Sequence, residues 1–173
     1  MRCKYCKNKF EKLHFLQKWC LKPECIKKAK DDHWKKVTKP KLKKELLSVQ
    51  DYIKIAQKVF NEYIRLRDKD KNCISCNAKA GTYTMSAGHY IPSTNKSVTF
   101  NEYNVNGQCW YNCNSKKSGN LIQYRKGLIK KIGLEEVEKL EQKGRETKHY
   151  TIDELKQIIE IYKEKKKQLL TKK

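Results

Sequence analysis

The sequence predicts an α+β protein, a small hairpin set among amphipathic helices, with two cysteine-rich stretches each tied into a compact knot. Three patterns predict it. Apolar residues recur every three or four positions over 49–67, as on a half-buried helix. Around 83–91 they fall on alternate positions, as on a strand. The eight cysteines of this 173-residue chain form two sets of four, Cys3, Cys6, Cys20, Cys25 and Cys73, Cys76, Cys109, Cys113, each made of two close pairs.

Taken in order, residues 1–25 form an amino-terminal module whose thin core Trp19 and Phe15 are expected to cover. A module this small buries too little apolar surface to fold without a metal. Residues 26–47 are dominated by lysine and read as a solvated basic helix followed by a linker, with Pro40 breaking any continuous helix. Residues 48–145 form the expected core. Ser48 and Asp51 cap a helix whose stripe is Val49, Tyr52, Ile53, Ala56, Val59, Phe60, Tyr63 and Ile64. Over 82–108, Tyr83, Met85, His89 and Ile91 suggest one strand of a long hairpin. Val98, Phe100 and Val105 lie towards the other, and Pro92-Ser93-Thr94-Asn95 supplies a turn. Leu121, Ile122, Leu128, Ile129 and Ile132 mark a helix stopped at Gly133, and Leu134, Val137 and Leu140 a further one. Residues 146–173 form a carboxy-terminal basic helix. Thr151 and Glu154 give it a capping box, Ile152, Leu155, Ile158, Ile159 and Tyr162 line one face, and residues 163–173 are expected to fray.

Charge narrows the partners. Lys and Arg number 41 against 19 Asp and Glu, a formal net charge of +22. Such an excess repels itself and calls for a polyanion, nucleic acid first and a membrane surface second. No segment is apolar enough to span a bilayer, and no basic amphipathic stretch is rich in Trp and Leu. Met1-Arg2-Cys3-Lys4 lacks the apolar run of a signal peptide, so the expected location is cytoplasmic. In a reducing compartment paired cysteines are read as zinc ligands rather than disulfides, which predicts two structural Zn2+ sites with four thiolates each.

Between and after the second set of cysteines stand three residues that a zinc knuckle alone does not need: His89, Asn104 and Asn114. Phosphodiester hydrolysis needs a base to activate water, a cation at the leaving oxygen and donors for the phosphate. His89 is the candidate base, since imidazole titrates near working pH. Asn114, beside Cys113, is the candidate oxygen ligand for a hard cation, Mg2+ or Mn2+. Asn104 would bridge backbone groups of the hairpin loop and hold the His89 strand. Lys116, Lys117 and Arg125 follow on the same segment as candidate DNA-phosphate ligands. His14, His33 and His149 are read as packing or surface residues. Tyr90, Tyr111, Tyr124 and Trp110 fit base stacking and ordinary packing equally.

These motifs resemble the HNH endonuclease pattern on the ββα-metal, treble-clef-like fold. Cys73-Ile74-Ser75-Cys76, Gly88-His89-Tyr90, Asn104-Val105-Asn106-Gly107-Gln108-Cys109, Cys113-Asn114, Lys117-Ser118-Gly119-Asn120 and Tyr124-Arg125 are similar to the lambdoid phage NinG family, also called Rap. The resemblance extends over nearly the whole chain and is weakest in the lysine-rich linker. It implies a phage or prophage recombination nuclease that cuts branched DNA, Holliday junctions and D-loops among them, with a divalent metal. It assigns His89 as general base, Asn104 as structural asparagine and Asn114 as metal ligand. Two symmetric nicks would need two active sites, hence a possible homodimer.

The chain departs from the pattern at four places. Gly88 and Ser86 stand where relatives often carry a carboxylate, the closing pair is Cys109-x3-Cys113, one residue longer than usual, and Asn106 stands where histidine is common. The cation then has only Asn114, phosphate oxygens and waters, unless Glu102 or another acid reaches it. The rival reading is a non-catalytic zinc-containing DNA-binding protein.

Overall fold

The computed structural model describes residues 1–40, 42 and 47–171. Most of them are helical, with one small antiparallel sheet. The chain divides into two compact units, Met1–Leu47 and Ser48–Lys173.

In the first unit Cys3, Cys20 and Cys25 are buried together, with Tyr5, Phe10 and Trp19 packed around them. Phe15 is not part of this cover: it is 87% exposed, and Leu13 and Leu16 beside it are exposed as well. The short chain turns through Cys3–Lys7 and closes a bridge between Arg2 and Lys9, which folds Phe10 inward and leaves 13–16 outside. Helix α1, Pro23–His33, begins inside the cysteine module, with Pro23 in its first turn where no backbone N–H is required. It runs on into a π-helical turn, Trp34–Thr38, and residues 39, 40 and 42 remain helical. Pro40 therefore does not break the helix at that point: the wider turn just ahead of it relieves the clash a proline ring makes with the preceding turn. The expected linker at the end of the 26–47 stretch falls largely on residues 41 and 43–46, outside the described residues.

The second unit starts with α2, Val49–Arg67, closed at its amino terminus by the Ser48–Asp51 capping box. Its buried face, Ile53, Ala56, Phe60, Tyr63 and Ile64, packs against α5, Ile152–Thr171, through Leu155, Ile159 and Tyr162, and against Val105. Phe60, Phe100 and Tyr162 meet edge to face. Helix α5 stays helical through Thr171, past Lys163, the expected start of fraying. Lys165 reaches Glu102 and Lys166 reaches Glu62, both at 2.6 Å, and Leu169 packs on the core.

Strands β1, Met85–His89, and β2, Val105–Cys109, pair antiparallel with Met85 opposite Cys109 and His89 opposite Val105. Val98 and Phe100 are not on a strand. The chain between the strands is a turn-rich loop that folds Val98 into a second cluster with Tyr124 and Leu128 of α3, Leu121–Ile132, and Val137 and Leu140 of α4, Leu134–Lys143. Gly133, at φ +85°, separates α3 from α4. Between β2 and α3, Trp110–Ser115 is a π-helical turn.

Candidate functional site

Four Sγ atoms converge in each cysteine set, all within 4.8 Å of one another. A tetrahedral ion with Zn–S of about 2.3 Å separates its sulfurs by about 3.8 Å, and Cys6–Cys20 and Cys76–Cys109 stand at 3.7 Å. Each set is compatible with one structural zinc. Backbone N–H groups aim at the sulfurs as thiolates require: Cys20 to Cys3 and Cys109 to Cys73, both at 3.3 Å, while the Asn120 amide reaches Cys113 at 3.5 Å. Burial raises Cys3, but the N–H groups of Cys20, Cys6 and Tyr5 overcome it and bring this thiol down to about 6. Burial and neighbouring thiols push Cys25 up to about 12 and raise Cys109. Crowded thiols titrate this way without a cation among them, and a dication reverses it. The longer Cys109-x3-Cys113 spacing is absorbed by the π-helical turn, whose Lys116 N–H bonds back to Tyr111 O. One extra residue per turn lets Cys113 complete the cluster.

His89 closes β1. Its Nε2 is buried without a hydrogen-bond partner among the described residues. Burial pulls the imidazole pKa below its ordinary value, against the backbone of Thr99 and Ala87, so the neutral ring is favoured. Asn104, wholly buried, ties the two ends of the interstrand loop together. Its Oδ1 accepts from Ile91 N at 2.8 Å, and its Nδ2 donates to Ile91 O at 3.0 Å and Val98 O at 3.1 Å. The following π-turn brings Asn114 to Ser86 on β1, Nδ2 to Oγ at 3.1 Å, and the Ser86 hydroxyl donates to Gln108 O. Strand alternation puts Ser86 and His89 on opposite faces of β1, so Asn114 and His89 approach the strand from different sides.

Beneath Gly88 lies a residue that the sequence reading missed. Gln108 is fully buried, and its Nε2 donates to Ser75 Oγ and Gly119 O, both at 2.6 Å. A Cβ at position 88 would stand 2.3 Å from Gln108 Oε1, so glycine there is a packing requirement. The Gly88 carbonyl accepts from the buried Tyr124 hydroxyl at 2.7 Å, which in turn accepts from Asn106 Nδ2. Asn106 Oδ1 receives Lys131, and Arg67 at 3.3 Å. Arg67 also holds Asp68 at 2.6 Å, and Asp68 accepts from Gly107 N. Although Lys131 as a residue is exposed, partial desolvation of its amine and the neighbouring Arg67 charge bring it down to about 8. Against burial, the Arg67 and Lys71 hydrogen bonds hold Asp68 well below the usual carboxylate range. A glycine opposite each large polar residue was the available signal: Gly107 admits Asp68 as Gly88 admits Gln108.

Glu102 does not reach Asn114. Its oxygens are taken by Lys165, Tyr63 and Tyr162, with Arg67 nearby. Lys116 and Lys117 are exposed, and Arg125 pairs with Glu141 at 2.7 Å. Tyr124 and Tyr90 pack against each other, whereas Trp110 and Tyr111 are exposed. His14, His33 and His149 are exposed. No helix among the described residues is long and apolar enough to cross a membrane.

His89 and Asn104 lie at the loop end of a β-hairpin whose other end is closed by a four-cysteine cluster and followed by Asn114, so this is a cysteine-clasped hairpin protein and more than an isolated finger. The profile described as Bacteriophage Lambda NinG protein matches residues 1–172, and the chain belongs to this family. It is 42% identical over 137 residues to protein ninG of Escherichia phage lambda, covering 76% of this chain and 64% of that protein. It is 35% identical over 193 positions to the Escherichia phage 933W protein ninG, covering 97% of this chain and 92% of that protein. To the Salmonella phage P22 protein ninG it is 40% identical over 136 residues, covering 76% and 64%. No solved structure matches.

Proposed function

We propose that the chain is a structure-selective endodeoxyribonuclease of the HNH, ββα-metal type that cuts branched DNA, Holliday junctions and D-loops, during phage recombination. The observation that carries this reading is His89: a strand-end imidazole kept neutral by burial, one nitrogen covered and unpartnered, on a hairpin that Asn104 clamps. A neutral ring can accept a proton from water, which is what a general base must do. Orphaned buried polar atoms of this kind call for a functional explanation. Asn114 and Ser86 offer neutral oxygens, the right donor type for Mg2+ or Mn2+, but no carboxylate accompanies them, so a cation held there takes much of its shell from DNA phosphate and water. When bound, that cation would supply Lewis-acid stabilisation of the leaving oxygen. Exposed Lys116 and Lys117 orient phosphates, and paired symmetric nicks call for a homodimer.

The absence of a carboxylate at Gly88 and Ser86, together with the placement of Asn114 and Ser86 on the face of β1 away from His89, favours a second reading, a zinc-containing DNA-binding protein without catalysis. Cleavage of a labelled four-way junction with Mg2+ or Mn2+ separates the two. The expected result is cutting near the branch, with linear duplex spared. It falls by about 10²–10⁴-fold in His89→Ala, and the acid limb of kcat/KM lies below about 6.5. Tight binding without cuts under either metal would establish the binder.

A further inference from the structure

A cleft of about 1100 Å³ lies between the Cys73–Cys76 loop and α3, and neither His89, Ser86 nor Asn114 lines it. Its walls carry Lys71, Lys117, Lys126, Lys130 and Lys131, with no aspartate or glutamate among the lining residues. It exists because α3 crosses the cysteine loop at Gly127, where a Cβ would stand 2.1 Å from Ile74 O. The helix axis thus sits against loop backbone, and the lysines on either side of the crossing become the rim.

Two local charges could make these lysines mere counterions. A zinc held by four thiolates carries a formal charge of −2, and Cys73 and Cys76 form part of the wall. Asp68 pairs with Lys71 at 2.9 Å, but Arg67 already balances it. Setting aside Lys117, already assigned to the cut strand, four lysines against −2 leave +2 in one trough. Lys126 and Lys130 are exposed, have no acidic partner among the described contacts, and stand one helical turn, about 6 Å, apart. The remaining polar lining is uncharged: the amides of Asn72, Asn77, Asn120 and Gln123 and the hydroxyl residue Ser75. No aromatic side chain lines it, so the trough can hold a phosphate backbone but offers no stacking platform. It is also larger and more open than a metabolite pocket enclosing one small anion.

We infer that this lysine trough is a second DNA seat, taking the backbone of an arm that leaves the branch while the cut strand lies at the His89 hairpin. Two separated seats on one core bind a substrate with diverging arms better than a straight duplex, because only the branched molecule fills both. Selectivity for the branch rests on the nuclease reading above, whereas backbone binding in the trough does not.

The test is binding of the full-length, zinc-loaded protein to a labelled four-way DNA junction, a linear duplex and an RNA junction over a salt series, without added Mg2+ or Mn2+. Lys126→Ala/Lys130→Ala is compared with Lys54→Ala/Lys58→Ala, which removes the same charge from the exposed side of α2. Expected is a fall of about 1.4–1.8 in the slope of log affinity against log salt for the junction, the value of two lost phosphate contacts. At low salt the junction is bound about tenfold more weakly, and the linear duplex changes less than about threefold. An unchanged junction slope, an equal loss in the α2 pair, or tighter trough-dependent binding of RNA than of DNA would overturn the inference. Because nothing is cut in this assay, a failed trough leaves the His89 experiment standing, and a failed His89 experiment leaves the trough.

Discussion

Gly88 can be tested by adding a single carbon. Its φ lies outside the left-handed region, so alanine there carries no backbone strain. The cost is steric: the new Cβ would lie 2.3 Å from Gln108 Oε1 and 2.9 Å from its Cβ. Gln108 must swing away and give up its bonds to Ser75 and Gly119. Two lost hydrogen bonds at about 0.5–1.5 kcal/mol each and overpacking of about 1–3 kcal/mol are offset by about 0.4–1 kcal/mol of lost unfolded-chain entropy. Gly88→Ala should therefore destabilise by about 1–6 kcal/mol, read as a lower urea midpoint with an unchanged slope at fixed zinc. Gln108→Ala opens the space, so the double variant should recover about 0.5–3 kcal/mol relative to additivity. A Gly88→Ala protein within about 0.5 kcal/mol of the parent, or additive behaviour in the double variant, would refute the reasoning. The same contact predicts that Gly88→Asp does not simply restore a metal ligand.

Zinc content measured on the purified chain should be two per molecule. Cys25→Ser should lose one ion while the helices of the second unit keep their circular dichroism, and Cys109→Ser should unfold the hairpin region. Asp68 should make an acid-sensitive contribution: its folded pKa lies below the unfolded value of about 3.9, so this stability is present above that pH and is lost as pH falls through the lowered value. Asp68→Ala, which leaves Arg67 only the longer 3.5 Å ion pair with Glu102, should cost up to about 3–5 kcal/mol in denaturant unfolding, and the acid dependence of the remaining stability should flatten.

Periodicity made the helices legible. The stripe on 49–67 and the caps at Ser48 and Thr151 are local signals, set by neighbours three or four residues away. The two cysteine sets were legible because four soft ligands in two close pairs have few uses in a reducing environment. What could not be read depends on distant partners. Nothing local to Lys165 and Lys166 says that Glu102 and Glu62 await them, so helix α5 looked frayed where it is pinned. Phe15 looked like core because it is aromatic, but the bridge between Arg2 and Lys9 turns Phe10 inward instead. At the candidate site, His89, Asn104 and Asn114 stood out by type and order. Gln108 and Asp68 did not, because their importance comes from glycines distant in sequence, Gly88 and Gly107, that make room for them.

The π-helical turn at Trp110–Ser115 bears on how this segment tolerates changes of length. A chain that gains one residue inside a regular helix shifts every later side chain by about 100°. Here the gain is spent within a single widened turn, whose far end still delivers Cys113 to the cluster and Asn114 to Ser86. Deleting one residue between Cys109 and Cys113 would tighten that loop to an ordinary turn and leave both deliveries in phase. The segment holds one residue of slack between two fixed anchors, so losing that residue should stay local to the turn and spare the hairpin.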